Sequence, residues 1–470
     1  MNLKEKTFNG LFWSFLSQGG KQLSQFIITV ILARLLNPND FGLMAMATVF
    51  TNFVTIFSEM GISSALIQKQ DTHDRHFYSA FWLNIIVGIL LTLVFIVVSP
   101  LIAWFYKRPE LKPILIVVSV NFLISSFVII QQTILTKEMD FKKLAIRDLI
   151  AVVIAGIVGV YLAYSGHGVW SLVYQLITFT LINAILLWTL SQWRPKFSLA
   201  ISDIKDIFNF SANVTGFNFI NYFARNVDQL LIGRFLGAES LGYYSVAYKL
   251  MLYPLQNISR VIGGVMFPAF SKIQNDLEKV RNVYCKTIKT ISLITFPMLA
   301  GLIALAPEFI RLFYGPSWSP MIILVQILCF CGLFQSIGTT TGLIFMSQGK
   351  ADVQLKLQLT GTAIVITSVI LGLLWGVNGV AIFYTIQSVI WVHYTFFVVN
   401  KLIYLKYGAF YKMILPAFVM SIIMIISILL IKIFFFASTF QGLIVSIFVG
   451  ATIYGLLFLI MKDKSLVMSI

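Results

Sequence analysis

The chain has 470 residues, 59% of them hydrophobic and 11% charged, with a formal net charge of +16. A soluble chain of this length carries roughly a quarter charged residues, so an assembly of soluble domains is excluded. The positive excess would suit nucleic acid, but it is spread over short loops between apolar stretches, so it reads as loop charge of a membrane protein with no nucleic-acid partner.

Fourteen hydrophobic spans are expected in chain order, at 10–34, 40–67, 77–105, 113–136, 145–165, 168–192, 206–235, 239–268, 287–314, 319–347, 354–375, 378–402, 411–435 and 441–461. Each is long enough to cross the ~30 Å hydrocarbon core of a bilayer. The first follows a basic start at Lys4 and Lys6, but Gln18, Lys21, Gln22 and Gln25 interrupt it. A secretory signal needs an unbroken apolar core, so the segment is read as an uncleaved first helix, with Gly19-Gly20 as a place to bend. The outward connections are short (Asn37–Asp40, Ser165–Gly168, Gly237–Ser240, Gly376–Asn378), and the longest inward one, 271–286, is an amphipathic linker.

Most of the 34 Lys and Arg lie at the N-terminus and in alternate loops, including 137–147, 272–289 and 401–412. The opposite loops and span ends hold only Arg34, Lys107, Arg108, Lys112, Arg234 and Arg311. The positive-inside rule then places both termini in the cytoplasm.

An internal repeat runs along the chain. Ala33–Gly42 matches Gly233–Gly242, Pro100, Pro109 and Pro113 match Pro307, Pro316 and Pro320, and Gly166–Val169 resembles Val377–Val380. The matches stay in register, so spans 1–6 recur as spans 7–12, and an even number of spans per repeat makes the halves parallel. The expected fold class is therefore all-α. It is a polytopic membrane protein of about 14 transmembrane helices, with two pseudo-symmetric six-helix bundles (1–200 and 201–404) plus two extra C-terminal helices (405–470).

Charged groups in hydrocarbon cost at least about 2.5 kcal/mol each and face a bundle interior or a watery cavity. Span 1 presents Ser14, Gln18, Lys21, Gln22, Gln25 and Thr29 along one face; span 7 presents Asn218, Asn221, Arg225, Asp228 and Gln229 with the same periodicity. Lys249 and Arg260 in span 8 and Glu59 in span 2 complete the set. Lys21, Arg225, Lys249 and Arg260 outnumber Glu59 and Asp228, which describes a transporter with a basic central cavity for an anionic substrate. Two structural alternatives stay open: Arg225 and Asp228, at i and i+3, neutralise one another, and Glu59 pairs with Arg260. Arg34 and Arg234 are either interfacial anchors or cavity residues, and Lys432 reads as a snorkelling side chain.

Catalytic signatures are absent: there is no phosphate-binding Gly-rich loop, no Gly-x-Ser-x-Gly elbow and no His-Glu-x-x-His helix, so no enzyme, metal or cofactor is expected. Asp71–His76 holds two His and two Asp but no further ligands. Cys285, Cys329 and Cys331 have no pairing or metal spacing. Gly156 and Gly159 read as a close helix contact.

Several segments carry a family likeness: Lys4–Gly10 followed by Trp13, Ala33–Leu36 through Phe41-Gly-Leu43, Gly61–Gln68, Phe267–Gln274 and Leu312–Trp318. Together they resemble the polysaccharide flippases of the multidrug/oligosaccharidyl-lipid/polysaccharide exporter superfamily, in the colanic-acid-exporter branch of the Wzx-type proteins. The resemblance implies a V-shaped pair of six-helix lobes working by alternating access. It implies as cargo an undecaprenyl-diphosphate-linked oligosaccharide for exo- or lipopolysaccharide biosynthesis, with membrane lipids around it. A polymerase and glycosyltransferases of the same pathway are candidate partners.

The candidate cavity residues are then Gln18, Lys21, Gln25, Asn221, Arg225, Lys249 and Arg260, with Asp228 and Glu59 as candidates for ion coupling. Span 2 departs from the family pattern, carrying Glu59 where a cation is usual. The alternatives are a multidrug or cation antiporter of the same superfamily, which would want an acidic cavity, and a membrane glycosyltransferase or polymerase, which would want an outer-loop catalytic segment.

Overall fold

The computed structural model describes residues 3–59, 63, 66–67, 73–198, 201–434 and 439–461, with side chains described in all of these except 3–17, 58–59, 201–221, 223–224, 260–261, 264–265, 407 and 434. Among these residues the secondary structure is helical, with no strand. The helices are α1 (Leu3–Leu35), α2 (Pro38–Glu59), α3 (Asp74–Tyr106), α4 (Leu111–Ser126), α5 (Ile129–Lys137), α6 (Phe141–Tyr164), α7 (Val169–Leu190) and α8 (Ile201–Pro254). A π-helical turn (Leu255–Ser259) leads to α9 (Arg260–Lys272), α10 (Leu277–Phe313), α11 (Met321–Ser347), α12 (Ala351–Leu373), α13 (Gly376–Leu402), α14 (Tyr407–Phe434) and α15 (Phe440–Ile460).

By length and apolar composition, 10 of the described helices can cross a membrane, or up to 11 when the bent pair α4–α5 is one span. The chain is a multi-pass membrane protein. The expected spans missing from that count fall on α1 and along α8–α9, whose side chains are described only in part and where the π-helical turn leaves α9 just 13 residues long. Expected span 4 is broken by 44° between α4 and α5. The Phe127 carbonyl freed at the break accepts the Trp188 indole N–H at 3.1 Å, which satisfies a polar group that lipid could not.

Two expected loops turn out to be helical. Lys142, Lys143 and Arg147 lie within α6, capped by Asp140, whose carboxylate accepts the Lys143 N–H at 3.3 Å. Arg147, counted by sequence as a loop cation, is buried at 7% exposure. Most of the 271–286 linker is the start of α10, capped by Asp276 on the Lys279 N–H at 3.1 Å. The Lys279 ammonium beside it also holds the Asp276 carboxyl below its ordinary value. Helix α1, by contrast, runs unbroken through Gly19-Gly20.

The chain forms two compact units, Met1–Gly242 and Tyr243–Ile470. In the first, α6 is the hub: it packs along α1 and against α7. Gly156 lets α1 approach, since a Cβ there would sit 2.2 Å from the Ile28 Cδ1. Gly159 does the same for α7, with Gln175 Cβ 3.0 Å from the added atom. A second close approach joins residues related by the repeat offset of 200. A Cβ on Gly42 would lie 1.7 Å from the Ala238 carbonyl oxygen, and one on Gly242 would lie 2.0 Å from the Pro38 carbonyl oxygen. Between them, Gly237 (φ 87°) breaks α8 where the repeat-related chain passes from α1 to α2. Tyr222 on α8 also donates its hydroxyl to the Val49 carbonyl of α2.

In the second unit, α10 packs against α11 and α14, and α12 pairs with α13 across mutually close Gly372 and Gly379. The two C-terminal helices dock through a small apolar core of Ala300, Ala304 and Leu305 from α10, Met424 and Ile428 from α14, and Leu443 from α15. Gly450 lets α15 approach Ile428. The Tyr454 hydroxyl donates to the Leu293 carbonyl at 2.9 Å.

Candidate functional site

Helix α1 shows its polar stripe in two parts. Gln18 and Gln25 are exposed, as are Leu23 and Ile27 of the same helix. Lys21 instead reaches across to α6, where its Nζ lies 3.2 Å from Asp148 Oδ2. The other oxygen, Oδ1, accepts from Arg147 Nε at 2.9 Å and from its Nη2. Arg147 Nη1 donates to Gln132 Oε1 on α5 at 3.3 Å, and the Lys21 ammonium lies 5.4 Å from the Phe179 ring centroid on α7. Four helices therefore meet at one carboxylate and two cations. Of this cluster, Lys21 alone stands out in the sequence. Asp148 stands 127 positions away at the polar edge of an apolar run, and only its being a lone acid on that edge marks it.

On α8, Arg225 is exposed and makes no ion pair with a described residue, while Asp228 is buried at 2% exposure. Asp228 Oδ1 accepts the Gln229 backbone N–H at 2.8 Å. Asn221, Glu59 and Arg260 lie on described helices, but their side chains are outside the described residues, and the alternative Glu59–Arg260 pair with them.

In the second unit Lys249 is exposed, again without an ion-pair partner among the described residues. Beside it in sequence, the Tyr248 hydroxyl lies 3.3 Å from that of Tyr384 on α13. Gln335 of α11 donates to Tyr384 Oη and to Ser388 Oγ, both at 3.0 Å. These hydrogen bonds tie α8, α11 and α13 together, with Ser388 buried between them.

The flanking charges divide as well. Arg234 lies over the rings of Phe105 (5.5 Å) and Phe235 (5.9 Å), as a cation–π anchor. Lys432 does not snorkel. Its Nζ lies 2.6 Å from Glu308 Oε2 and donates also to the Ala304 carbonyl, because α14 packs directly on α10. At the start of α3, the His76 ring accepts the His73 backbone N–H at 3.2 Å, so this part of the 71–76 cluster serves as a helix cap. No group of three or more metal-binding side chains occurs among the described residues.

The helical membrane architecture and this sparse set of helix-borne cations define a polytopic transporter-type protein. Its fold is similar to that of the solved structure "Lipid II flippase MurJ, inward closed conformation", with a TM-score of 0.78 over 97% of this chain and 99% of that one at 18% identity. It is also similar to an inward-facing multidrug resistance MATE family transporter of the MOP superfamily, with a TM-score of 0.65 over 82% of this chain and 94% of that one at 18% identity. In sequence, the lipopolysaccharide biosynthesis protein WzxC of Escherichia coli is 28% identical over 85% of this chain and 82% of its own length. The teichuronic acid biosynthesis protein TuaB of Bacillus subtilis is 28% identical over 75% of this chain and 73% of its own. The family described as "Polysaccharide biosynthesis protein" matches residues 31–323, and the chain belongs to that family.

Proposed function

We propose that this protein is a flippase that carries undecaprenyl-diphosphate-linked oligosaccharide units from the inner to the outer leaflet of the bacterial inner membrane, for exo- or lipopolysaccharide synthesis. The observation that carries the reading is the exposure of Arg225 and Lys249, on helices of a membrane protein, with no ion-pair partner among the described residues. A charge so placed is costly in lipid and is retained where water or an anionic ligand meets it. A diphosphate supplies that charge, and the exposed Gln18 and Gln25 add uncharged hydrogen-bonding groups for sugar or water. Family membership and relatives named for lipopolysaccharide and teichuronic acid biosynthesis supply the glycan. The basic balance disfavours a carrier of lipophilic cations.

In this reading fourteen spans form a six-helix lobe at 1–200, a second at 201–404 and a lipid-facing pair at 405–470, with both termini cytoplasmic. The reciprocal contact of Gly42 and Gly242, at equivalent repeat positions, supports the lobe symmetry. Alternating access then exposes a cavity holding Lys21, Arg225, Lys249 and Arg260, with Gln18, Gln25 and Asn221, to each side in turn. Asp228, buried on the same helix as Arg225, is the candidate for ion coupling, with Glu59 as the second. Deleting the gene and analysing lipid extracts by mass spectrometry tests the function. Accumulation of a complete undecaprenyl-diphosphate oligosaccharide, with loss of surface polymer, is the expected result; unaltered lipid-linked sugars with normal polymer would overturn it.

A further inference from the structure

Among the described residues, Asp148 is the acid found in an ion pair with a candidate cargo-binding cation. The two cations on it are not equivalent. Arg147 adjoins it on α6, is buried, uses Nε and Nη2 on Oδ1, and is held from behind by Gln132. Lys21 comes from a different helix on a flexible stem, has a side chain 26% exposed, and meets the opposite oxygen at 3.2 Å. Arginine's planar fork suits a fixed bidentate partner, whereas a lysine is a mobile point charge. One carboxylate against two cations also leaves one positive charge unmatched, so the cluster attracts a further anion. If Lys21 swings away, Asp148 keeps both hydrogen bonds from Arg147 and is not left as a lone buried charge.

We propose that Asp148 is the resident counter-ion of Lys21: a phosphate oxygen of the cargo displaces it, and it recaptures Lys21 when the cargo departs. Arg147 is then a positioning residue that keeps Asp148 in place during the exchange. This rests on the lipid-diphosphate reading above, and it adds a release step to it. Without Asp148 the cargo binds more tightly and leaves more slowly; with Asp148, binding is weaker and turnover faster.

The test titrates undecaprenyl diphosphate onto the full chain in nanodiscs, with undecaprenol as the uncharged control. Asp148→Asn is expected to tighten binding of the diphosphate by about fivefold, the equivalent of a partly exposed ion pair, while leaving undecaprenol unchanged. Turnover in proteoliposomes is expected to fall in the same variant, a split that a merely structural pair does not produce. Lys21→Ala combined with Asp148→Asn is expected to abolish the gain in affinity. Equal or weaker binding by Asp148→Asn overturns the inference. Wild-type protein that binds no undecaprenyl diphosphate overturns the functional reading as well, so the two failures are distinguishable. Should Asp148→Asn not fold, wild-type protein carrying 13C-labelled aspartate answers through difference infrared spectroscopy. Saturating undecaprenyl diphosphate is expected to shift a labelled carboxylate stretching band as Lys21 leaves Oδ2, a shift that Lys21→Ala lacks, and an unchanged band overturns the exchange.

Discussion

Two helix-borne lysines, Lys21 on α1 and Lys432 on α14, meet carboxylates in opposite ways. Lys432 and Glu308 form a one-to-one pair at 2.6 Å, closed by the Ala304 carbonyl, with side chains 13% and 17% exposed. Lys21 shares Asp148 with Arg147, at a longer 3.2 Å and with greater exposure. The first arrangement is neutral and fastens α14 to α10, beside the apolar core that docks the C-terminal helices. The second retains surplus charge and an exit for the lysine. Like residue types thus give a clasp in one unit and an exchangeable contact in the other, and the count of partners decides which.

That contrast is open to breakage by substitution, with thermal unfolding in nanodiscs as the readout. The largest effect is expected for Glu308→Ala, which strands the Lys432 ammonium in a partly buried site and costs about 2–3 kcal/mol. Arg147→Ala follows at about 1–2 kcal/mol, because it removes the buried donors that fix Asp148 and leaves Gln132 unpaired on that side. Lys21→Ala is expected to cost under about 1 kcal/mol, since Asp148 retains Arg147. Smallest of all is the joint replacement Lys432→Met with Glu308→Leu, expected to lie within about 1 kcal/mol of wild type because both charges go together. If Lys21→Ala proved as damaging as Glu308→Ala, the Lys21 contact would be a clasp as well and the distinction would fail.

How much of this was legible in the sequence follows from which interactions are local. The apolar spans, the turn at Gly237 and the Gly156/Gly159 contacts could be read because hydrophobicity, φ preference and small-residue spacing are properties of short segments. The broken span α4–α5 could not, since its kink is stabilised by Trp188, 61 positions from the carbonyl it satisfies. Arg147 reads as a loop cation because α6 begins earlier than its apolar run, with Lys142 and Lys143 in its first turn. Lys432 looked like a snorkelling residue because Glu308 is 124 positions away on another helix. Likewise, the stripe on α1 was legible as a face, but not the turning of Lys21 out of it towards Asp148.

The central claim, that exposed cations in this membrane protein bind a lipid-linked anionic glycan for flipping, is tested most directly in proteoliposomes. The measurement is the rate at which undecaprenyl-diphosphate-linked oligosaccharide becomes accessible at the opposite leaflet, for wild type and for Lys21→Ala combined with Arg225→Ala. The account predicts a fall of about tenfold or more in the double variant, as expected from losing two charge-assisted contacts to phosphate, with folding retained. A double variant that flips at the wild-type rate would contradict it.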